Sequence, residues 1–287
     1  MRPLSLIGLL SPAFVFAASE GVKTSATDLF NIGGIPISNS ILTTWIIAAL
    51  IIIGVRLAVG TPKLIPGKGQ SVVEGMAQGL RDALEPIVGK KMIGKTFPLL
   101  CGFFVFILLM NWSGLLPGVG TIKYSHDGHW LEAIRPANSD LNTTLGLAVI
   151  SFVAWTYFVL RYAGFKVLIF DLFGNKASKK EVGMFMWVML VPIFFAVGGI
   201  EIVSILFRPL SLSFRLFGNV FGGENLIHAL GDPKTLGVFA TYILPAMAGM
   251  LEVLVGVIQA FVFTLLSAVY IGLICNHEGG HDDEHAH

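Results

Sequence analysis

Charge is what this 287-residue chain has least of: only 13% of its residues are Asp, Glu, Lys or Arg, and 54% are hydrophobic. Soluble domains carry closer to a quarter charged residues. With a mean hydropathy of +0.78, the shortage excludes a soluble domain and implies a chain that crosses a membrane several times. Cysteine is nearly missing too. Cys101 and Cys275 are the only two, and both sit in apolar segments, so a disulfide framework is excluded and both read as small buried residues. Net charge is only +1, which removes any electrostatic case for nucleic acid as a partner. No inverted repeat is visible, which argues against a repeat-built secondary transporter that would bind an anionic solute on an arginine. No paired aspartates and no serine–histidine pair fall within the apolar runs, which argues against an intramembrane hydrolase.

Five apolar runs are present, at residues 41–59, 97–117, 141–160, 188–228 and 236–275. The first three have the roughly 20 residues that one crossing needs. The last two hold about 40 each and would reach about 60 Å at 1.5 Å per residue, against a hydrocarbon layer of about 30 Å. They must slant steeply or break, with Pro209, Gly198-Gly199 and Gly222-Gly223 as candidate bends. The short link 231–234 makes them an antiparallel hairpin. The expected fold class is therefore an all-α membrane protein: five transmembrane helices, the last two a long tilted hairpin, plus amphipathic surface helices.

Basic residues set the orientation. The links 60–96 and 161–186 hold most of the lysines and arginines and should face the cytoplasm, which leaves the N-terminus outside and the C-terminus inside. Residues 1–17 read as a signal peptide with small residues near Ala17, and 18–39 as an extracytoplasmic segment. The transmembrane domain spans 40–275, and 276–287 form a His- and acid-rich cytoplasmic tail. Within the first basic link, 72–92 is amphipathic at helical spacing and suits a membrane surface. In the tail, His277-Glu278-Gly279-Gly280-His281 matches a zinc-protease pattern, but two glycines occupy positions where that chemistry needs a helix. We expect no metal site. Asn111-Trp-Ser and Asn142-Thr-Thr match the glycosylation pattern at membrane edges, where it carries little weight.

Polar residues in the two long helices are few, so their spacing informs. Ser211, Arg215 and Asn219 fall four apart and share a helix face. Arg208 precedes Arg215 by seven residues, and Glu201 precedes Arg208 by seven. On the second long helix Glu252 and Gln259 are seven apart, while Glu224 closes the first. An arginine held mid-membrane costs about 2.5–3.5 kcal/mol on insertion scales. Arg208 can offset that with Glu201. Arg215 has no carboxylate three or four residues away; it either pairs with Glu224 or Glu252 or meets a charge from another subunit. Glu224 and Glu252 suit proton relay, or else a hydrogen-bonded packing pair. Asp140 suits a helix N-cap or, with Asn142, a polar vestibule on the outer side.

At these residues the chain resembles the a subunit of F-type ATP synthases, from about residue 40 onward. The segments that carry the likeness are RPLSLSFRLFGNVFGGENLI (208–227), NWSGLLPG (111–118), PANSDLNTTLGLA (136–148) and IQAFVFTLLSAVYIG (258–272). The resemblance implies that Arg215 faces the ion-binding carboxylate of a rotating c-ring, with Asn219 and Ser211 beside it and Gln259 meeting it across the hairpin. It implies that Glu224 belongs to an outer half-channel and that Glu252, where family members vary between histidine and carboxylate, lies on the same path. Asn142 and Asp140 would stand at its entrance. The implied partners are c-ring proteolipids, b-type peripheral stalk subunits, the rest of the synthase and the lipid bilayer. No cofactor, no metal and no active site of its own are implied. Residues up to 39 depart from the shortest family members and receive no channel role.

Overall fold

The computed structural model describes residues 28–32, 35–116, 119, 123–126, 129–132, 135–165, 184–230 and 233–275. The signal-peptide reading of 1–17, the tail 276–287 with its zinc-like pattern, and most of the link 161–186 lie outside the described residues.

Among the described residues six α-helices dominate, and five are long and apolar enough to cross a membrane. We number them α1 Asn39–Val59, α2 Lys68–Val88, α3 Lys90–Ser113, α4 Leu141–Phe158, α5 Met184–Leu230 and α6 Pro233–Cys275. The chain is thus an all-α, multi-pass membrane protein. Two small hairpins that the sequence did not announce accompany them: β1 Asp28–Ile32 with β2 Ile35–Ser38, and β3 Lys123–His126 with β4 His129–Glu132, each antiparallel.

Local chemistry explains the helix ends. The Ser38 hydroxyl accepts from the Ile41 amide and starts α1, and the Asp140 carboxylate accepts from the Asn142 amide and starts α4. Between α2 and α3 stands Gly89, at φ 88°, a left-handed conformation that other residues resist. The second span was expected at 97–117, but α3 starts at Lys90 and ends at Ser113. Its lysines do not end the helix, because long cationic side chains reach polar surroundings from a helix rim. After Phe158, α4 widens into a π-helical turn, Val159–Ala163.

The two long helices are continuous. Pro192 and Pro209 lie inside α5 and Pro245 inside α6, so the expected bends at Pro209 and the glycine pairs do not break the helix, and only residues 231–232 separate the two. Their apolar stretches, Pro192–Ile227 and Ile243–Leu273, are 36 and 31 residues long. The first reaches about 54 Å, so within about 30 Å of hydrocarbon a straight rod must lean about 55° from the normal. The pair is antiparallel: Arg208 lies over the Tyr270 ring at 4.4 Å, and Gly223 abuts Glu252.

α3 and α4 buttress this hairpin. Leu80, Leu84 and Val88 of α2 pack with Met92, Ile93 and Leu100 of α3, Trp155 and Phe158 of α4, and Ala268 and Ile271 of α6. The apolar face of α2 is therefore covered in part by the chain's own helices, where the sequence suggested a membrane surface alone. Amphipathicity shows that a face must be covered and leaves open by what. A second core joins Phe103 and Ile107 to Leu147, Leu212, Leu216 and Phe263, with the Phe103 and Phe263 rings edge to face at 5.6 Å. Hydroxyl pairs hold neighbouring helices together: Thr144 with Ser213 at 3.0 Å and Ser151 with Ser267 at 2.9 Å. Such pairs suit interfaces in lipid, where packing and hydrogen bonds replace the hydrophobic drive.

Candidate functional site

The two arginines of α5 differ. Arg208 bonds Glu201 at 2.6 Å and stacks on Tyr270, the structural pair that seven-residue spacing allows. Arg215 is exposed and has no ion pair among the described residues. The pairing with Glu224 or Glu252 that the spacing left open is not formed.

The reason is the direction each side chain takes. Ile205, Leu212, Leu216, Val220 and Ile227 form the buried stripe of α5, while Ser211, Arg215, Gly218 and Gly222 are exposed on the other side. Open space lies where a Cβ on Gly218 or Gly222 would point. Nine residues carry the helix through about two and a half turns from Arg215 to Glu224. Glu224 therefore turns inward, near enough to Glu252 for the two charges to repel.

Glu252 sits at the centre of the inward side. Its carboxylate lies so close to Gly223 that a Cβ there would be 2.6 Å from Oε1. A small cleft beside it is lined by Asn111, Asn219, Val220, Glu252, Val255 and Gly256. Asn219, half-buried at the edge of the Arg215 face, thus shares this cleft with Glu252. Gln259 is 6% exposed, and its Nε2 has no hydrogen-bond partner among the described residues. The Arg208–Tyr270 and Gly223–Glu252 contacts put it within about one turn of the level of Arg215, but no hydrogen bond joins the two.

At the opposite end of the site the polar residues are buried. Asp140 is 4% exposed; its Oδ2 accepts from the Ser40 hydroxyl at 2.8 Å and its Oδ1 from the Asn142 amide at 3.1 Å. Both oxygens are engaged, so Asp140 caps α4 and ties it to α1. Asn142 is exposed at the start of α4. Asn138 donates to Asn111 Oδ1 at 2.8 Å, and Asn111 donates to the Gly256 carbonyl at 3.2 Å. This buried chain of amides leads from the foot of α4 to the cleft at Glu252. Sequence reasoning missed Asn111 and Asn138 as parts of the site. An asparagine ending an apolar helix was the available signal, since a buried amide needs partners.

Fold and site together define a multi-pass helical membrane protein that keeps, among the described residues, an arginine without an ion pair midway along a long helix and two neighbouring carboxylates, a set suited to moving ions. Residues 41–272 match the family described as ATP synthase A chain, and the chain belongs to that family. It is 32% identical over 245 residues to ATP synthase subunit a of Moorella thermoacetica, a match covering 85% of this chain and 94% of that one. Membership makes it a proton-translocating subunit of the membrane sector of the F-type ATP synthase, working with the rest of that complex.

Proposed function

We propose that the chain is the stationary half of a rotary proton path, with two half-channels offset from one another and Arg215 standing between them. A proton enters from outside near Asn142, passes the buried amides, and reaches Glu224 and Glu252, with Asn219 in the same cleft. It then neutralises a carboxylate on a ring of proteolipid subunits. A neutral carboxyl can rotate through lipid where a charged one cannot cheaply go. After nearly a full turn it releases the proton into the inner half-channel. Arg215, beside Ser211 and within about one turn of the level of Gln259, attracts the ionised carboxylate and repels any proton moving straight across. Each proton gains about 2.3 kcal/mol per 100 mV, so several are needed for each ATP.

The subunit forms no bond of ATP itself. Its further partners are the peripheral stalk and the lipid of a bacterial inner membrane, with the basic links and the C-terminus in the cytoplasm.

The observation that carries this reading is the outward, unpaired Arg215 on a helix face with Gly218 and Gly222 beside it. A charge there is tolerable only against a charged partner, and glycines let that partner come close. Single cysteines test it. In the assembled synthase, cysteines replacing Ser211, Gly218 or Gly222 should form disulfides with cysteines near the mid-membrane carboxylate of the proteolipid, while cysteines at the buried Ser213 and Leu216 should not. Cross-linking from Ser213 and Leu216 but not from the glycine face would refute it.

A further inference from the structure

The end of α3 grips α6 at the residue after Glu252 and again one turn beyond it. Trp112 Nε1 donates to the Val253 carbonyl at 3.1 Å, and Asn111 Nδ2 donates to the Gly256 carbonyl at 3.2 Å. Both carbonyls lie inside α6, where each has a second lone pair free to accept from a neighbour. Gly256 makes the approach possible. A Cβ at 256 would lie 3.3 Å from Trp112 Cδ1 and from Asn111 Cβ, and 3.4 Å from Trp112 Nε1, tight enough to push the indole back. α3 thus meets bare α6 backbone at the floor of the cleft that holds Glu252 and Asn219.

We propose that Trp112, seated on Gly256, is a positioning residue for Glu252: its hydrogen bond to Val253 fixes the rotation of α6 so that the carboxylate stays against Gly223. The consequence follows from helix geometry. Val253 adjoins Glu252, and each residue turns the helix by about 100°. A helix gripped at two successive carbonyls of one face cannot roll, whereas one held only by apolar packing can. On the far side Glu252 has Gly223 against it, with no side chain to hold it in place. The groups facing Glu252 are Glu224 and Asn219 of α5 and Asn111 of α3; Glu224 is the charged one whose field it feels. This inference rests on the reading of Glu252 as part of the outer proton path.

The test uses the complete synthase in inverted vesicles, with ATP-driven acidification as the readout and subunit content measured alongside. Trp112→Phe keeps an aromatic ring and removes the donor. It should lower pumping about three- to tenfold, the range one lost hydrogen bond implies, and displace the pH profile of pumping. Trp112→His, which retains a ring N–H, should recover part of the loss. In a Glu252→Gln background Trp112→Phe should add no further loss, because the two act through one group. Full pumping and an unmoved pH profile for Trp112→Phe would overturn the proposal, as would a loss that multiplies with that of Glu252→Gln. Should Trp112→Phe prevent assembly, Gly256→Ala displaces the indole by only a few tenths of an ångström, and an unchanged pH profile there overturns it equally. If Glu252→Gln itself pumps normally, the outer-path reading fails. If Glu252→Gln is impaired and the tryptophan change is independent of it, the clamp alone fails.

Discussion

Replacing Gly223 with alanine places one methyl group where the structure has none. The added Cβ would stand 2.6 Å from Glu252 Oε1, 2.8 Å from its Cδ and 3.2 Å from Oε2. Ordinary contact begins near 3.4 Å, so the carboxylate has to retreat by about 0.8 Å. It is the tip of a flexible side chain, and it will move before two packed helices separate. The stability cost should therefore stay at or below about 1 kcal/mol, the low end for overpacking. Function should suffer more. A shift of that size stretches a 2.8 Å hydrogen bond beyond 3.5 Å, and misplacement on the ångström scale costs up to about a hundredfold in a reaction that depends on alignment. We expect ATP-driven acidification of inverted vesicles to fall about tenfold to a hundredfold with normal subunit content. Gly146→Ala, where open space awaits the methyl, should behave as wild type. A Gly223→Ala enzyme that pumps at the full rate would refute the placement of Glu252 on the path.

Two further outcomes test the frame around the site. Glu201→Gln leaves Arg208 without its acid; the complex should lose about 1–3 kcal/mol of stability, bounded by the cost of an unpaired arginine in a membrane, read as a lower temperature for release of this subunit in detergent. Replacing both with leucine should be close to neutral, and equal damage from the double change would contradict the pairing. Gly272→Leu would drive a side chain into the Ile87 backbone carbonyl, and the loss of about 1–3 kcal/mol typical of overpacking should appear as reduced assembly; an unaffected yield would show that α2 does not pack on α6 as described.

How much of this was legible in the chain depended on the distance over which each feature is decided. The five spans could be read directly because an apolar run states its own environment. The start of α3 could not, since Lys90, Lys91 and Lys95 read as a link while their long stems allow a helix to continue beneath them. The outward Ser211–Arg215 face followed from four-residue spacing. Asn219, on the same spacing, lies toward the boundary of that face and also lines the cleft with Glu252. The pairing of Arg208 with Glu201 was visible for the same local reason. The amide chain from Asn138 through Asn111 to Gly256 was not, because its links join residues 27 and 145 apart in sequence, and only the packing of α3 on α6 brings them together. Asp140 admitted two readings, and the double engagement of its carboxylate by Ser40 and Asn142 favours the cap.

The central claim is that Arg215 keeps two proton paths apart while holding a partner's carboxylate. Arg215→Ala tests it most directly, in inverted vesicles carrying the assembled synthase. The account predicts that ATP hydrolysis builds no pH gradient and that an imposed gradient drives no ATP synthesis, while protons still leak through the membrane sector. A variant that built a normal ATP-driven gradient would contradict it.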